Sequence, residues 1–358
     1  MTQLRTRFPE LQEGVPLAPL TTMKIGGDAR YFLTVTKRED LVDALRIARE
    51  EQIPVFFLGG GSNVLISSQG FAGLVIKNEM RAMRVEGNRI IAESGVILAS
   101  VIKAAKDNGL VGLAPLHGVP GTFGAAVRGN CGVPQCETGD FVVSAVLLDK
   151  NLAYKTVDRE YFGYSYRHSH LKESGEIVVE ATIELLPGGD PKQIQEEMMI
   201  MLKSRKAKQP WGKSGGSFFK NPTREYSAGF LVDQVGGKGM RVGDALVSEM
   251  HANFFQNAGH ATSEEMQSLA SLIKQRVKEQ FNIALEEEVE FIEARPSAKG
   301  HYRGAGGLVA TDHGAVEYGG GYNFLEGVRF PPQCAVYLHG VLCWYPCRNT
   351  PSWDSIEQ

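Results

Sequence analysis

The apolar run Val55-Phe56-Phe57-Leu58 ends on three consecutive glycines, Gly59, Gly60 and Gly61, followed by Ser62-Asn63 and then by apolar residues again. Few features constrain a chain more. Glycine lacks the Cβ that keeps a ligand away from backbone, and it adopts φ > 0 without steric penalty. Successive amides of such a loop can converge on an anion such as a pyrophosphate, with Ser62 and Asn63 adding side-chain donors. A plain flexible turn between strands has the same composition, and this loop by itself leaves both readings open. Two alternatives are excluded. The order G-x-G-x-x-G is absent and apolar residues follow at once, not a helix start. No Gly-Lys-Ser/Thr follows either, so the loop is not a triphosphatase phosphate loop.

A second glycine loop, "HGVPGTFGAAVRGNCG" (His117 to Gly132), carries Gly118, Gly121, Gly124, Gly129 and Gly132 between apolar segments. Pro120-Gly121-Thr122 reads as a tight turn. The small run Gly124-Ala125-Ala126 lets backbone lie close to a flat ligand. Two such loops can clamp the two ends of a dinucleotide.

The elements around the loops alternate. Arg30 to Val35 reads as a strand. Thr36-x-x-Glu39 reads as a capping box, opening a helix with the stripe Leu41, Leu45, Ala48. Val55 to Leu58 is the next strand, and the β-α-β order favours a parallel pair with a right-handed crossover. Leu98 to Leu110 is a second helix, stopped at Asn108-Gly109. "FVVSAVLLD" and "EIVVEATIELL" are strands. "DPKQIQEEMMIMLKSRKAKQP" is a helix closed by basic residues and Pro210. Thr262-x-x-Glu265 caps the clearest helix, whose buried stripe is Leu269, Leu272, Ile273 and Val277.

With 358 residues, two or three domains are expected. A net charge of −3 offers no global attraction to nucleic acid or to an acidic membrane. No apolar run is long enough for a membrane span, and the first residues lack an apolar signal core, so a cytoplasmic location is expected. There are five cysteines. Cys131 and Cys136 are close in sequence, but free thiols are the expectation for a cytosolic chain. Cys343 and Cys347 lack a second pair, and no metal site is expected. From Ser297 onward glycines and prolines scatter without period. A small added domain, a loosely ordered extension and unselected read-through sequence all remain open, and the composition leans to the last two.

"GGGSNVL", "GVPGTFGAA" and "LTTMKIGG" (Leu20 to Gly27) together resemble the UDP-N-acetylenolpyruvoylglucosamine reductase (MurB) family. "YSYRHSHLK" (Tyr164 to Lys172), "SGGSFFKNP" (Ser214 to Pro222), Ala228 to Thr262 and "ALEEEVEFI" (Ala284 to Ile292) agree with it in order, and "GSFFKNP" is the most specific. The resemblance runs from about Pro16 to Ile292. It implies an α+β fold: an FAD-binding region of the PCMH/vanillyl-alcohol-oxidase type in two subdomains (1–77 and 78–205), a separate α+β substrate domain (206–296), and an atypical tail, 297–358.

The resemblance further implies non-covalent FAD, NADPH as co-substrate and a UDP-sugar substrate whose enolpyruvyl ether is reduced to a lactyl ether. Gly59, Gly60, Gly61, Ser62, Asn63, Gly118, Gly121, Thr122, Gly124, Ala125 and Asn130 would hold FAD. Negative charge develops on the substrate's α-carbon and carboxylate, so the site needs a cation, an acid and a proton source. Arg167 suits the first, since a guanidinium keeps its charge and forks onto a carboxylate; it also reads as a surface arginine. Ser217 suits the proton source, helped by Lys220, though Gly-Ser also makes a plain turn. Glu288 suits the acid, although a run of acids is usually a solvated face. Lys220 and Asn221 are the expected substrate contacts, with Asn221 on the diphosphate, and Lys238 to Asn253 adds contacts not assigned to single residues.

The chain departs from the family's pattern at three places. Glu287 replaces a proline, Arg128 an apolar or amide residue, and Cys131 an alanine. Cys131 reads as small filler or as a redox thiol. Fifty residues separate Arg167 from Ser217, the spacing of the family's shorter type, which lacks an extra substrate loop; something else must then cover the site. A monomer or weak oligomer is expected. The alternative is another FAD oxidoreductase of this fold acting on a sugar or alcohol. Such enzymes often tether flavin to a histidine, and His117 lies in a suitable region, but the resemblance implies no covalent link.

Overall fold

The computed structural model describes residues 3–223 and 225–294, together with the backbone of Cys334–Leu338 and Val341–Tyr345. The chain divides into two compact units, Met1–Thr311 and Asp312–Gln358.

The first unit opens with helix α1 (Gln3–Arg7), strands β1 (Gln12–Pro16) and β2 (Asp28–Val35), helix α2 (Arg38–Glu50), and strands β3 (Val55–Leu58), β4 (Val64–Ile66) and β5 (Phe71–Asn78). The sheet order is β1-β2-β5-β3. β2 and β3 are both parallel to β5. The expected β-α-β pair is therefore parallel but not adjacent, because β5 inserts between its members. Helix α2 buries Leu41, Ala44, Leu45, Ile47 and Ala48. The expected capping box is not formed. The N-cap is Lys37, with no side-chain cap, so Thr36 and Glu39 sit one residue too early for the pattern.

Next come β6 (Met83–Glu86), β7 (Arg89–Glu93), α3 (Leu98–Asp107), α4 (Phe123–Gly129), β8 (Gly132–Val133), β9 (Cys136–Glu137), β10 (Val142–Leu148), β11 (Tyr154–Asp158), α5 (Leu171–Ser174), β12 (Ile177–Glu184) and α6 (Pro191–Lys208). Five strands form an antiparallel sheet in the order β11-β10-β12-β7-β6. Helix α3 stops as expected at Asn108, with Gly109 at φ +63°. In α6 the Asp190 side chain accepts from Lys192 N, Pro191 opens the helix, and Arg205, Lys206 and Lys208 end it. Only Ile194 and Met198 of α6 are buried, so the helix lies on the surface of this core.

The remainder holds β13 (Ser214–Ser217), α7 (Ala228–Gln234), β14 (Arg241–Val242), β15 (Ala245–Val247), β16 (Phe254–Asn257), α8 (Ser263–Phe281) and β17 (Glu290–Ile292). Its sheet runs β13-β16-β15-β14. Thr262 and Glu265 form the expected reciprocal capping box of α8. The buried stripe is Met266, Leu269, Ala270, Ile273 and Val277, so Met266 replaces the expected Leu272. Phe218 and Phe255 stack at 4.2 Å, with Phe219 edge-on to both. This core also takes in Met23, Ile25 and Leu65. β17 pairs in parallel with β4, which ties the last strand of the unit to the segment after the glycine triplet.

In the second unit, β18 (Cys334–Leu338) and β19 (Val341–Tyr345) form an antiparallel pair. The rest of the expectation for 297–358, and the cysteine side chains there, lies outside the described residues. No helix among the described residues is long and apolar enough to cross a membrane. No group of three or more His, Cys, Asp or Glu among them could hold a metal ion.

Candidate active site

A cavity of about 760 Å³ is lined by residues from all three parts of the first unit. Both glycine loops form its wall: Gly59 to Asn63 and, from the second loop, Gly118, Gly121, Thr122, Gly124 and Ala125. The loops pack against each other through missing side chains. A Cβ on Gly60 would lie 2.9 Å from Gly121 Cα, and one on Gly59 2.8 Å from Thr122 Oγ1. Gly61 has φ +64°, and a Cβ there would meet Leu20 O at 2.1 Å. Glycine thus serves loop-on-loop contact as well as ligand access.

The wall fits a dinucleotide such as FAD. Among the described residues the amides of Gly60, Gly61, Ser62 and Asn63 donate to no protein acceptor; Gly61 is buried and Gly60 exposed, so the run offers free donors to a ligand in the cavity. The Thr22 hydroxyl on the same wall is buried without a partner. The volume falls within the usual range for ligand sites.

Asn130 departs from expectation. It caps α4 with φ +47° and is 1% exposed. Its amide donates to Glu137 Oε2 (2.6 Å) and Ser165 O (3.0 Å), and its Oδ1 accepts from Gly139 N (2.9 Å). Every side-chain group is engaged by protein, so Asn130 fastens the loop that precedes Arg167 and forms no part of the cavity wall. His117 is likewise absent from the wall; burial and then Arg205 depress its pKa.

Arg167, Ser217 and Glu288 all line this cavity. Arg167 Nε lies 2.8 Å from Glu288 Oε1, and Arg167 Nη1 donates to Gly132 O at 2.9 Å. Arg167 occupies a turn closed by Ser165 N to His168 O and His168 N to Ser165 O. Ser217 ends β13 next to Phe218, whose carbonyl accepts from Glu288 N at 2.8 Å. Among the described residues the Ser217 hydroxyl has no hydrogen-bond partner, which leaves it available to a ligand. Burial lifts the Glu288 carboxyl above its ordinary range, and Arg167, Lys172 and Lys220 only partly pull it back.

Lys220 is displaced from the expected contact. Its ammonium pairs with Glu286 and is not on the wall. Asn221 is on the wall; its Oδ1 accepts from Ala228 N (3.0 Å) and its backbone N–H donates to the Tyr166 hydroxyl (3.3 Å). Glu287, in the proline position, is held by Lys274 (2.9 Å) and bridges to Phe219, so an ion pair replaces the rigid turn. Of the stretch Lys238 to Asn253, His251 and Asn253 lie on the wall. Asn253 also clamps Phe219 through both its N–H and its carbonyl. Neither Cys131 nor Cys136 is in a disulfide, and burial raises the Cys131 thiol, which keeps it protonated and poorly reactive.

Contacts that the sequence reading did not foresee complete the site. Arg128 Nη1 pairs with Glu290 Oε1 at 2.9 Å, and Lys172 Nζ lies 3.9 Å from the same oxygen. Burial lowers the Lys172 pKa. The Asn63 amide donates to Glu288 O at 2.9 Å. These are long-range contacts between segments that carry no common local pattern; only the basic character of the stretch around Arg167 signalled them.

Comparison with known proteins agrees with this arrangement. A family profile described as "UDP-N-acetylenolpyruvoylglucosamine reductase, C-terminal domain" matches residues 207–292, and one described as "FAD binding domain" matches 29–151. The UDP-N-acetylenolpyruvoylglucosamine reductase of Synechococcus sp. (strain JA-3-3Ab) is 40% identical over 285 residues, covering 79% of this chain and 91% of the relative. That of Clostridium novyi (strain NT) is 37% identical over the same length, covering 92% of the relative. The crystal structure of the Thermus caldophilus reductase superposes with a TM-score of 0.67 at 33% identity, covering 79% of this chain and 98% of that one. An FAD-binding region and a characteristic C-terminal domain joined in one chain, with relatives matched over nearly their whole length, place this protein in the UDP-N-acetylenolpyruvoylglucosamine reductase family.

Proposed function

We propose that the chain reduces UDP-N-acetylenolpyruvoylglucosamine to UDP-N-acetylmuramate with NADPH, a step of peptidoglycan precursor synthesis and so of cell-wall growth, shape and division. The observation that carries the reading is the Arg167–Glu288 pair at 2.8 Å on the wall shared with Ser217 and the two glycine loops. The first two parts, 1–77 and 78–205, form the FAD-binding region, and 206–296 the substrate domain. The setting is the cytoplasm, with a UDP-sugar and NADPH as small-molecule partners, a monomeric or weakly associating chain, and neither nucleic acid nor membrane as partner.

FAD, held non-covalently along the amides of Gly60 to Asn63, supplies hydride carriage between NADPH and the β-carbon of the enolpyruvyl group. The protein's own groups handle the charge that follows. Arg167 holds the substrate carboxylate, where negative charge accumulates as the β-carbon gains its hydride; its hydrogen bond to Gly132 O fixes the fork beforehand. Ser217 delivers the proton to the α-carbon, so one hydride and one proton add across the double bond. Glu288, whose proton burial holds to higher pH than usual, donates in its protonated form a hydrogen bond to the same developing charge without adding a negative charge of its own.

Rapid mixing of the FAD-loaded enzyme tests the assignment. NADPH should bleach the flavin, and the enolpyruvyl UDP-sugar should restore its colour. In Ser217→Ala the bleaching should be unchanged while restoration slows by about 10²–10⁴-fold, the usual worth of a positioned proton donor. Restoration within a few fold of wild type removes the proton-donor role. A protein that cannot be loaded with FAD removes the whole reading.

A further inference from the structure

Among the described residues eleven large hydrophobic side chains are exposed, and of these Trp211 alone lines the cavity. It is also the most exposed of the eleven, at 66%. An indole left in water at a cavity mouth forgoes a large amount of apolar burial unless a ligand covers it. The ring is placed by its surroundings. Pro210 precedes it, Gly212 turns the chain at φ +123°, and Gln256 Nε2 donates to Trp211 O at 3.2 Å. The Lys206 ammonium stands 5.3 Å from the ring centroid on one side. The other face remains for a flat partner.

The neighbours define that partner's chemistry. The end of α6 brings Arg205 and Lys208 onto the same wall, with Lys206 beside the indole. Arg205 Nη2 donates to Pro115 O at 3.3 Å, and burial lowers its pKa. A planar π-face next to several cations matches a nucleotide, with the base stacked on the ring and the phosphates on the basic residues. Stacking of this kind accepts any base, because every base has a π-face.

We infer that Trp211 is the base platform of the cavity mouth, receiving the heteroaromatic ring of a diphosphate nucleotide whose phosphates lie along Arg205 and Lys208. The inference deepens the proposed function, which supplies two such nucleotides: the uracil of the UDP-sugar and a ring of NADPH. It gives the cavity an aromatic cover drawn from the linker before β13.

The test uses FAD-loaded wild type, Trp211→Ala and Trp211→Phe, titrated with UDP and separately with NADP+ and followed by flavin absorbance change. Trp211→Ala should weaken one or both ligands roughly tenfold, the effect expected for loss of one stacked base. Trp211→Phe, which keeps a π-face, should stay within about threefold of wild type. Weakening of UDP alone assigns the platform to the sugar nucleotide, and weakening of NADP+ alone to the reductant. If wild type binds both and Trp211→Ala changes neither by more than twofold, the platform is refuted while the proposed function stands. If wild type binds neither, the functional reading fails and this inference with it.

Discussion

Arg167 presents its guanidinium from a backbone with φ +54°, a left-handed conformation that costs a non-glycine residue on the order of 1–3 kcal/mol. Such a geometry persists only where surroundings over-determine it. Here they do: the Ser165–His168 turn, Asn130 on Ser165 O, and Gly132 O on the guanidinium all fix the residue. The partner is Glu288, whose carboxyl burial holds neutral to higher pH than usual. A step that needs the neutral acid is fully active below that raised pKa and declines as pH rises through it. The pH profile of colour restoration by the enolpyruvyl substrate should therefore show an alkaline decline, and Glu288→Gln, which cannot ionise, should remove that limb while lowering the plateau. A decline unchanged in Glu288→Gln assigns the titration to another group.

Between elements, the pairing of β17 with β4 places the acid beside the first glycine loop. Asn63 closes the connection from both sides, donating to Glu288 O and accepting from Glu290 N. Asn63→Ala should cost about 1 kcal/mol of stability for the lost hydrogen bond. It should also slow restoration of flavin colour more than bleaching by NADPH, because Glu288 loses its support. Hydrogen exchange of 288–292 measures the same loosening, and protection equal to wild type would show that Asn63 does not hold the segment. Sequence pattern reached some of these elements and not others. Thr262-x-x-Glu265 delivers its box, while Thr36-x-x-Glu39, the same pattern, misses by one residue because Lys37 takes the cap. Helix α4 was hidden inside the second glycine loop, since Phe123 to Gly129 is only seven residues long and includes Gly124 and Gly129, which weaken the helical signal. The insertion of β5 between β2 and β3 was invisible, because strand period carries no information about which neighbour a strand takes.

Across the whole molecule, every residue that lines the cavity precedes Phe291 and so belongs to the unit Met1–Thr311. A chain ending at Thr311 should bind FAD in equal stoichiometry and turn over NADPH within twofold of the full chain, read from the flavin spectrum and the initial rate. Loss of bound flavin would show that the residues beyond it contribute. That Arg167, Ser217 and Glu288 share one cavity was legible at this scale because three short stretches with specific composition carried them. Their supports were not, since Asn63 to Glu288 spans 225 positions and joins groups with no shared local signature. That span bears on biosynthesis. A ribosome adds roughly 5–20 residues per second and domains fold as they emerge, so the nucleotide loop near the start waits until Ile292 has left the exit tunnel before its partner strand arrives. A nascent chain should therefore acquire its yellow cofactor late, close to release, and premature termination anywhere before β17 should yield a protein without a finished flavin pocket.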